Sequence, residues 1–256
     1  MGSYKSGWNN LMKILNLKGT AIKLHQELDE FQIRSMTQQC IRGEVQTVVK
    51  ELVSYPGFPK SEFLLDIGGS QGIYSIALCQ ENNKLLARIL EQDHVASLTS
   101  SFIWEYGMEN RIDVRIGDIK DLKKSDTWKY DIVLISNLLY NYPTEKGDVL
   151  ENISQILNPG GILVFNHRFY SLNCDVKPGS GVREIDRALN GFGLHLCHPE
   201  GFKEIFEELG FLNVYSKPYE TASGHAILYI GTKEGELPEK ALENPVELAS
   251  KLGNRR

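Results

Sequence analysis

The stretch FLLDIGGSQG at residues 63–72 constrains this chain more than any other part of its sequence. An apolar run leads into Asp66, glycines follow at positions 68, 69 and 72, and apolar residues then recur at helical spacing. The pattern predicts a strand, a tight turn and a helix. Glycine permits positive φ angles and close approach of a ligand, and the start of the helix offers free N–H groups. We therefore expect a nucleotide-like ligand across this turn.

The spacing of the glycines distinguishes between nucleotide ligands. The dinucleotide fingerprint G-x-G-x-x-G, counted from Gly68, requires glycine at positions 70 and 73, and the chain has Ser70 and Ile73 there. The sequence therefore disfavours an NAD-dependent dehydrogenase, and binding of a reduced nicotinamide would be the test for one.

Length and composition exclude several classes of protein. The 256 residues, of which 41% are apolar and 24% charged, suit one α/β domain. The net charge of −5 disfavours a nucleic acid or an anionic membrane as the main partner. The polar start at residues 2–5 has no signal-peptide core, and no apolar run approaches the roughly 20 residues of a membrane span, so we expect a cytoplasmic protein. The four cysteines form no C-x-x-C pair, and no metal site is predicted.

Short β-type runs alternate with helical or turn segments after the glycine turn, at residues 85–90, 112–116, 131–136, 161–166, 211–216 and 225–231. Such alternation predicts a parallel sheet with helices on both faces. One helical stretch is predicted over 31–53, and N-P-G-G at 158–161 is predicted to stop the helix before the fifth strand. We divide the chain into a helical lead-in or lid at 1–58, a ligand-binding domain at 59–233 and a charged tail at 234–256.

Two acids follow predicted strands at positions that suit a nucleoside. Glu91 ends the second strand 23 positions after Gly68, which is about the distance for an acid that accepts hydrogen bonds from ribose hydroxyls. Asp118 follows the third strand, where its carboxylate can accept from an exocyclic amine while Ile119 covers a base edge. A solvated strand-end acid and a helix-capping aspartate are the alternative interpretations. Ser136 ends the fourth strand at the switch point beside the turn.

These residues resemble the D-x-G-x-G-x-G motif of class I S-adenosylmethionine-dependent methyltransferases, with Ser70 at the place of the middle glycine. More narrowly, residues 31–231 resemble the O-methyltransferases of the caffeate, acetylserotonin and bacterial polyketide type. The motifs that carry this resemblance are F-x-x-x-x-M (Phe31, Met36), E-Q-D-H-V (91–95), I-G-D-I (116–119), S-N-L-L-Y-N-Y (136–142), N-P-G-G (158–161) and the run from His198 to Phe211.

The resemblance implies a doubly wound, seven-stranded, mostly parallel sheet of Rossmann-like type, with a reversed last hairpin and a short N-terminal helical extension. It implies S-adenosylmethionine as methyl donor and a small-molecule acceptor, first of all a hydroxyl of a secondary metabolite. N- or C-methylation, another reaction of the same cofactor, and a non-catalytic cofactor-binding protein are the alternatives. The implied cofactor-binding residues are Asp66, Gly68, Ser70, Gly72, Glu91, Gln92, Asp118, Ile119 and Ser136.

The chain departs from the family pattern in two places. A winged-helix dimerisation domain usually precedes this region, whereas about thirty residues precede Phe31 here. We expect these residues to form a short helical lid, and we expect a monomer or a homodimer not built by such a domain. The family's L-H-D-W segment, whose histidine is the general base, is replaced by a segment with Tyr140 and Asn141.

The replacement of that histidine changes which residues are candidates for catalysis. A phenol with an ordinary pKa of about 10 is a poor base at neutral pH, so Tyr140 and Asn141 are expected to orient the acceptor. A histidine from elsewhere, namely His167, His195 or His198, is the candidate for a base or a substrate contact.

Overall fold

A computed structural model describes residues 30–41, 43–122, 128–139, 142, 146–168, 202–221 and 224–235. Its centre is a sheet of seven strands in the order β3-β2-β1-β4-β5-β7-β6. The strands are β1 Phe63–Ile67, β2 Leu86–Glu91, β3 Ile112–Ile116, β4 Tyr130–Ser136, β5 Leu157–Arg168, β6 Phe211–Thr221 and β7 Gly224–Lys233.

The sheet is mostly parallel and its last hairpin is reversed. Strands β1 to β5 pair in parallel, and β7 runs antiparallel to both β5 and β6. The chain leaves β1 to one side for β2 and β3 and returns to its other side for β4, so the carboxyl ends of β1 and β4 flank the crevice where such sheets bind ligands. The predicted fold class is confirmed.

The lead-in to the sheet contains two helices instead of the one predicted stretch, which is a correction. The described helices are α1 Glu30–Ile41, α2 Glu44–Val53, α3 Ile73–Glu81, α4 Asp93–Glu105, α5 Lys146–Ile156 and α6 Phe202–Glu208. Gly43 separates α1 from α2 with φ −164° and ψ −62°, angles outside the helical region. The apolar side of α2, with Val48 and Leu52 fully buried, packs into the same core cluster as α3.

The segment N-P-G-G was predicted to end a helix before a strand that starts at 161, and the structure corrects this. Strand β5 begins at Leu157, which pairs with Tyr130, and the register then shifts because Ile132 pairs with Ile162. The segment therefore forms an irregularity inside the strand. Asn158 Nδ2 donates to Asp131 Oδ1 (2.6 Å), a long-range contact that holds the irregularity at the sheet and that local sequence pattern does not reveal.

Apolar side chains cover both faces of the sheet. Strand β4 is buried along nearly its whole length, and its residues alternate between two core clusters, with Val133 and Ile135 on one face and Ile132 and Leu134 on the other. This burial on both faces is typical of parallel strands between helices. It leaves the carboxyl ends of the strands as the place for a polar site. No helix in the described ranges is long and apolar enough to cross a membrane.

Candidate functional site

The glycine turn lies at the carboxyl end of β1 and is held from two sides. Gly68, Ser70 and Gly72 have positive φ angles of 69°, 51° and 71°. The N–H of Ser70 donates to Glu91 Oε2 (2.9 Å), and its carbonyl accepts from the hydroxyl of Thr99 on α4. These two bonds fix Ser70 in a left-handed conformation that a non-glycine residue rarely adopts. Helix α3 starts directly after the turn.

Asp66 lies beneath the turn. Its side chain is 1% exposed and accepts a hydrogen bond from Ser75 Oγ (2.8 Å). Burial raises the pKa of Asp66 to about 7, and the nearby charge of Glu91 acts in the same direction, while the bond from Ser75 lowers it. A Cβ at Gly69 would stand 2.8 Å from the Asp66 carboxyl carbon. Asp66 therefore supports the turn from below, and its direct contact with a cofactor stays a prediction.

Glu91 ends β2 and faces the turn. In addition to the bond from Ser70, its Oε1 accepts from the N–H of Gln92 (3.1 Å). Burial raises the pKa of Glu91, and the two backbone N–H groups lower it. The carboxylate is therefore anchored to the turn and is not the solvated strand-end acid of the alternative interpretation. Each carboxylate oxygen has a second acceptor position, so Glu91 can also accept from ligand hydroxyls.

Asp118 follows β3 and caps a short 3-10 helix, Ile119–Asp121. Its Oδ1 accepts from the N–H of Lys120 (2.9 Å) and from the hydroxyl of Tyr142 (3.3 Å). The capping role is therefore present. Those two bonds leave Oδ2 for another donor, and the adenine role stays a prediction. Ile119 is 2% exposed and packs in the core, so little of its surface is left to cover a base.

A chain of hydrogen bonds crosses the ends of β4 and β5. The hydroxyl of Tyr219 donates to Asn166 Oδ1 (2.6 Å), Asn166 Nδ2 donates to Ser136 Oγ (3.1 Å), and Ser136 Oγ donates to the hydroxyl of Tyr74 (3.3 Å). Burial first, and then the charge of Glu44, raise the pKa of both tyrosines well above the ordinary value. Both phenols therefore stay protonated at neutral pH and are not bases.

Sequence reasoning missed three polar residues beside this chain of bonds. Arg168, the last residue of β5, donates through Nε (3.1 Å) and a terminal nitrogen (2.7 Å) to Glu44 Oε1. Asn137, directly after β4, donates from Nδ2 to Glu44 Oε2 (2.8 Å). Glu44 is the first residue of α2 and is 3% exposed, so a helix of the lead-in places a buried acid at the ligand edge of the sheet. Helical periodicity gives no signal for such a contact.

Most of the predicted catalytic residues cannot be placed. Tyr140, Asn141, His195 and His198 lie outside the described residues. His167 was predicted just past the fifth strand, and this position is wrong because β5 continues through Arg168. Its side chain is fully buried, its Nδ1 donates to the carbonyl of Arg168 (2.8 Å), and its ring lies 5.5 Å from that of Phe165. A role for His167 in catalysis stays a prediction.

The sheet order, the reversed hairpin and the glycine turn define the fold of the class I S-adenosylmethionine-dependent methyltransferases, as the sequence resemblance implied. Comparison with known proteins agrees with this fold. Residues 65–165 match the family described as the methyltransferase domain.

Two of the curated relatives align with most of this chain. An uncharacterized protein of Methanocaldococcus jannaschii is 28% identical over 201 residues, which is 77% of this chain and 49% of that protein. The L-tyrosine C(3)-methyltransferase of Streptomyces lavendulae is 29% identical over 183 residues, which is 70% of this chain and 48% of that enzyme. The chain thus spans about half the length of these relatives.

The structural comparison extends to solved methyltransferases. Human N-acetylserotonin methyltransferase, solved in complex with S-adenosylmethionine, superposes with a TM-score of 0.66 and 14% identity over 90% of this chain and 67% of that one. At this identity the likeness concerns the fold. It agrees with the family that the sequence motifs resemble.

Proposed function

We propose that this protein transfers a methyl group from S-adenosylmethionine to a small-molecule acceptor, most simply to a hydroxyl group. The observation that carries the proposal is the joint placement of a strained glycine turn and the Glu91 carboxylate at the switch point, with Asp118 after the next strand. The match of residues 65–165 to the methyltransferase domain supports it.

The residues at this edge fit the cofactor chemically. The turn has backbone angles that only glycine adopts without strain at Gly68 and Gly72. Glu91 is held in place with acceptor positions to spare for ribose hydroxyls, and Asp118 keeps an oxygen for an amine donor. Gln92 and Ser136 complete the proposed binding set, and Ile119 can add only the small part of its surface that is not packed in the core. When bound, S-adenosylmethionine supplies an electrophilic methyl group.

The contribution of the chain is mainly positioning. Among the described residues near the ends of β4 and β5, the two tyrosines are protonated donors, so neither removes a proton from the acceptor. Tyr140 and Asn141 are proposed to orient the acceptor, and His167, His195 or His198 to take a proton where the reaction needs it. Holding two reactants in line lowers the barrier without a strong base when the acceptor is already nucleophilic.

Methylation at carbon is the second candidate function. It is favoured by the likeness to the Streptomyces lavendulae relative, whose name describes methylation at C(3) of L-tyrosine. The absence of the family's histidine from its motif position, where Tyr140 stands, fits an acceptor that does not need that base.

We further propose that residues 1–58 form a helical lead-in and lid, residues 59–233 the methyltransferase domain and residues 234–256 a charged tail. The protein is proposed to work in the cytoplasm, as a monomer or as a homodimer not built by a winged-helix domain. The acidic net charge supports a small-molecule acceptor over a nucleic acid.

The experiment that tests the function is incubation with S-adenosylmethionine carrying a labelled methyl group and a panel of phenols, alcohols, amines and aromatic amino acids. Mass spectrometry of the products identifies the methylated atom and separates O-, N- and C-methylation. Binding of the cofactor without label transfer to any panel member, or to metabolites of a cell extract, would favour a cofactor-binding protein instead.

A further inference from the structure

We propose that Asn137 binds the methyl acceptor, with its Oδ1 accepting a hydrogen bond from an N–H or O–H group at the point of methyl transfer, and that Glu44 and Arg168 hold its amide for this contact. The inference rests on the proposed function. It assigns a role to three residues that the sequence did not predict for the site, although Asn137 lies within the S-N-L-L-Y-N-Y segment.

The position of Asn137 in the sheet is the first argument. It follows β4, whose end pairs with the end of β1, so it stands next to the glycine turn at the switch point. The next residue, Leu138, packs over the turn, because a Cβ at Gly68 would lie 3.1 Å from its methyl groups. The acids proposed to bind the nucleoside lie on the opposite side, after β2 and β3. Asn137 is therefore on the side left for the reactive end of the cofactor and the acceptor.

The orientation of the amide is the second argument. A carboxylate only accepts hydrogen bonds, so the atom of Asn137 that contacts Glu44 Oε2 at 2.8 Å must be the donor Nδ2. This fixes Oδ1 as the atom on the other side of the amide. Oδ1 is shielded from solvent and receives no hydrogen bond from the described residues. A buried carbonyl oxygen without a donor costs stability, which a donor from a ligand would restore.

The backbone conformation of Asn137 also supports a role in ligand binding. Its φ angle is 51°, in the left-handed region that asparagine enters more easily than most residues but still at a cost. Its N–H donates to the carbonyl of Asn166 (2.8 Å), which ties the strained residue to β5. Strained residues with unmet polar atoms concentrate at functional sites, and this geometry points to such a role.

Charge is the third argument. Glu44 is buried and is neutralised by two donors of Arg168, so the pair adds no net charge to the cleft. The bond from Nδ2 to a carboxylate polarises the amide and strengthens Oδ1 as an acceptor. An amide oxygen does not remove a proton at neutral pH, so Asn137 orients its ligand and is not a base. The site therefore selects an acceptor with a hydroxyl or amine at the reacting atom.

The test uses cofactor analogues, because the acceptor is unidentified. Sinefungin carries an amine where S-adenosylmethionine carries its transferable methyl group, and S-adenosylhomocysteine has neither. We expect calorimetry to show that Asn137→Gly weakens sinefungin binding about tenfold or more, the loss expected for a hydrogen bond from a charged donor, and leaves S-adenosylhomocysteine binding within twofold. Glycine suits the positive φ, so the variant should fold. The matched control is Asn213→Gly, an exposed asparagine with φ 52° on β6.

A double variant tests the positioning by Glu44 and Arg168. Replacing both residues by glutamine removes both charges together, so neither is left buried without a partner. We expect this variant to lose most of the affinity that the amine of sinefungin adds over S-adenosylhomocysteine, although Asn137 is still present. Equal weakening of both analogues in Asn137→Gly, or of neither, would overturn the inference alone. Failure of the unaltered protein to bind S-adenosylhomocysteine would overturn the proposed function and this inference with it.

Discussion

Asp66 and Glu91 are two acids with different tasks at one turn. Glu91 is anchored by backbone N–H groups and keeps acceptor positions for a ligand, whereas Asp66 is almost fully buried with Ser75. Burial favours the neutral form of Asp66 and raises its pKa from the ordinary 3.8 to about 7. Between these two values the folded protein holds a proton that the unfolded chain has lost.

We therefore expect stability to depend on pH through Asp66. Because its folded pKa is raised, the stabilisation is complete below about pH 4 and is lost as pH rises through about 7. Asp66→Asn keeps an acceptor for Ser75 and has no proton to lose, so the unfolding free energy of the unaltered protein should fall relative to that of the variant over this range. Urea denaturation of both proteins at several pH values measures the difference. Parallel pH profiles would contradict it.

The sequence pattern predicted all seven strands. Strands β1, β2 and β4 are the clearest, because parallel strands buried on both faces are short apolar runs between turn residues. It failed where a distant contact decides the local structure, as at Asn158, which the buried Asp131 holds inside β5. The candidate site shows the same division between residues that a local pattern identifies and residues that only a long-range contact identifies. Glu91 and Asp118 could be named from strand ends, whereas the Glu44–Arg168 contact joins residues 124 positions apart and only the folded chain brings them together.

The turn between β1 and α3 offers a test of close packing. A Cβ at Gly72, where φ is 71°, would lie 2.6 Å from Ile89 Cδ1 and 2.8 Å from Ile103 Cδ1, whereas Gly107, with φ 64°, has nothing within 4 Å. Gly107→Ala should cost about 1–2 kcal/mol for the left-handed backbone. Gly72→Ala should cost roughly 1–3 kcal/mol more through overpacking. Chemical denaturation compares the two variants, and equal losses would show that packing at the turn is loose.

At the scale of the whole molecule, the carboxyl ends of the strands carry two groups of polar residues on opposite sides of the switch point. Acids after β2 and β3 suit the nucleoside of a cofactor, and the neutralised Glu44–Arg168 pair with Asn137 suits an uncharged acceptor group beyond β4 and β5. Helix α2 of the lead-in contributes Glu44, so the region before β1 belongs to the proposed site as well as to the core.

The lid at residues 1–30 stays a prediction, since residues 1–29 lie outside the described part of the chain. We expect deletion of residues 1–18 to weaken acceptor or cofactor binding while the remaining domain keeps its cooperative unfolding, because those residues are too few to build a core of their own. Binding and thermal unfolding of the truncated protein measure the two effects separately. Full activity of the truncated protein would count against a lid.

The central claim is that the glycine turn and Glu91 bind S-adenosylmethionine, and calorimetry with S-adenosylhomocysteine tests it most directly. We expect binding to the unaltered protein, and weakening by about 1–3 kcal/mol in Glu91→Ala, the range for lost hydrogen bonds to a charged acceptor. Glu81→Ala, which removes an exposed acid at the end of α3, should bind as the unaltered protein does. No measurable binding to the unaltered protein at millimolar S-adenosylhomocysteine, or equal affinity of Glu91→Ala and the unaltered protein, would contradict the claim.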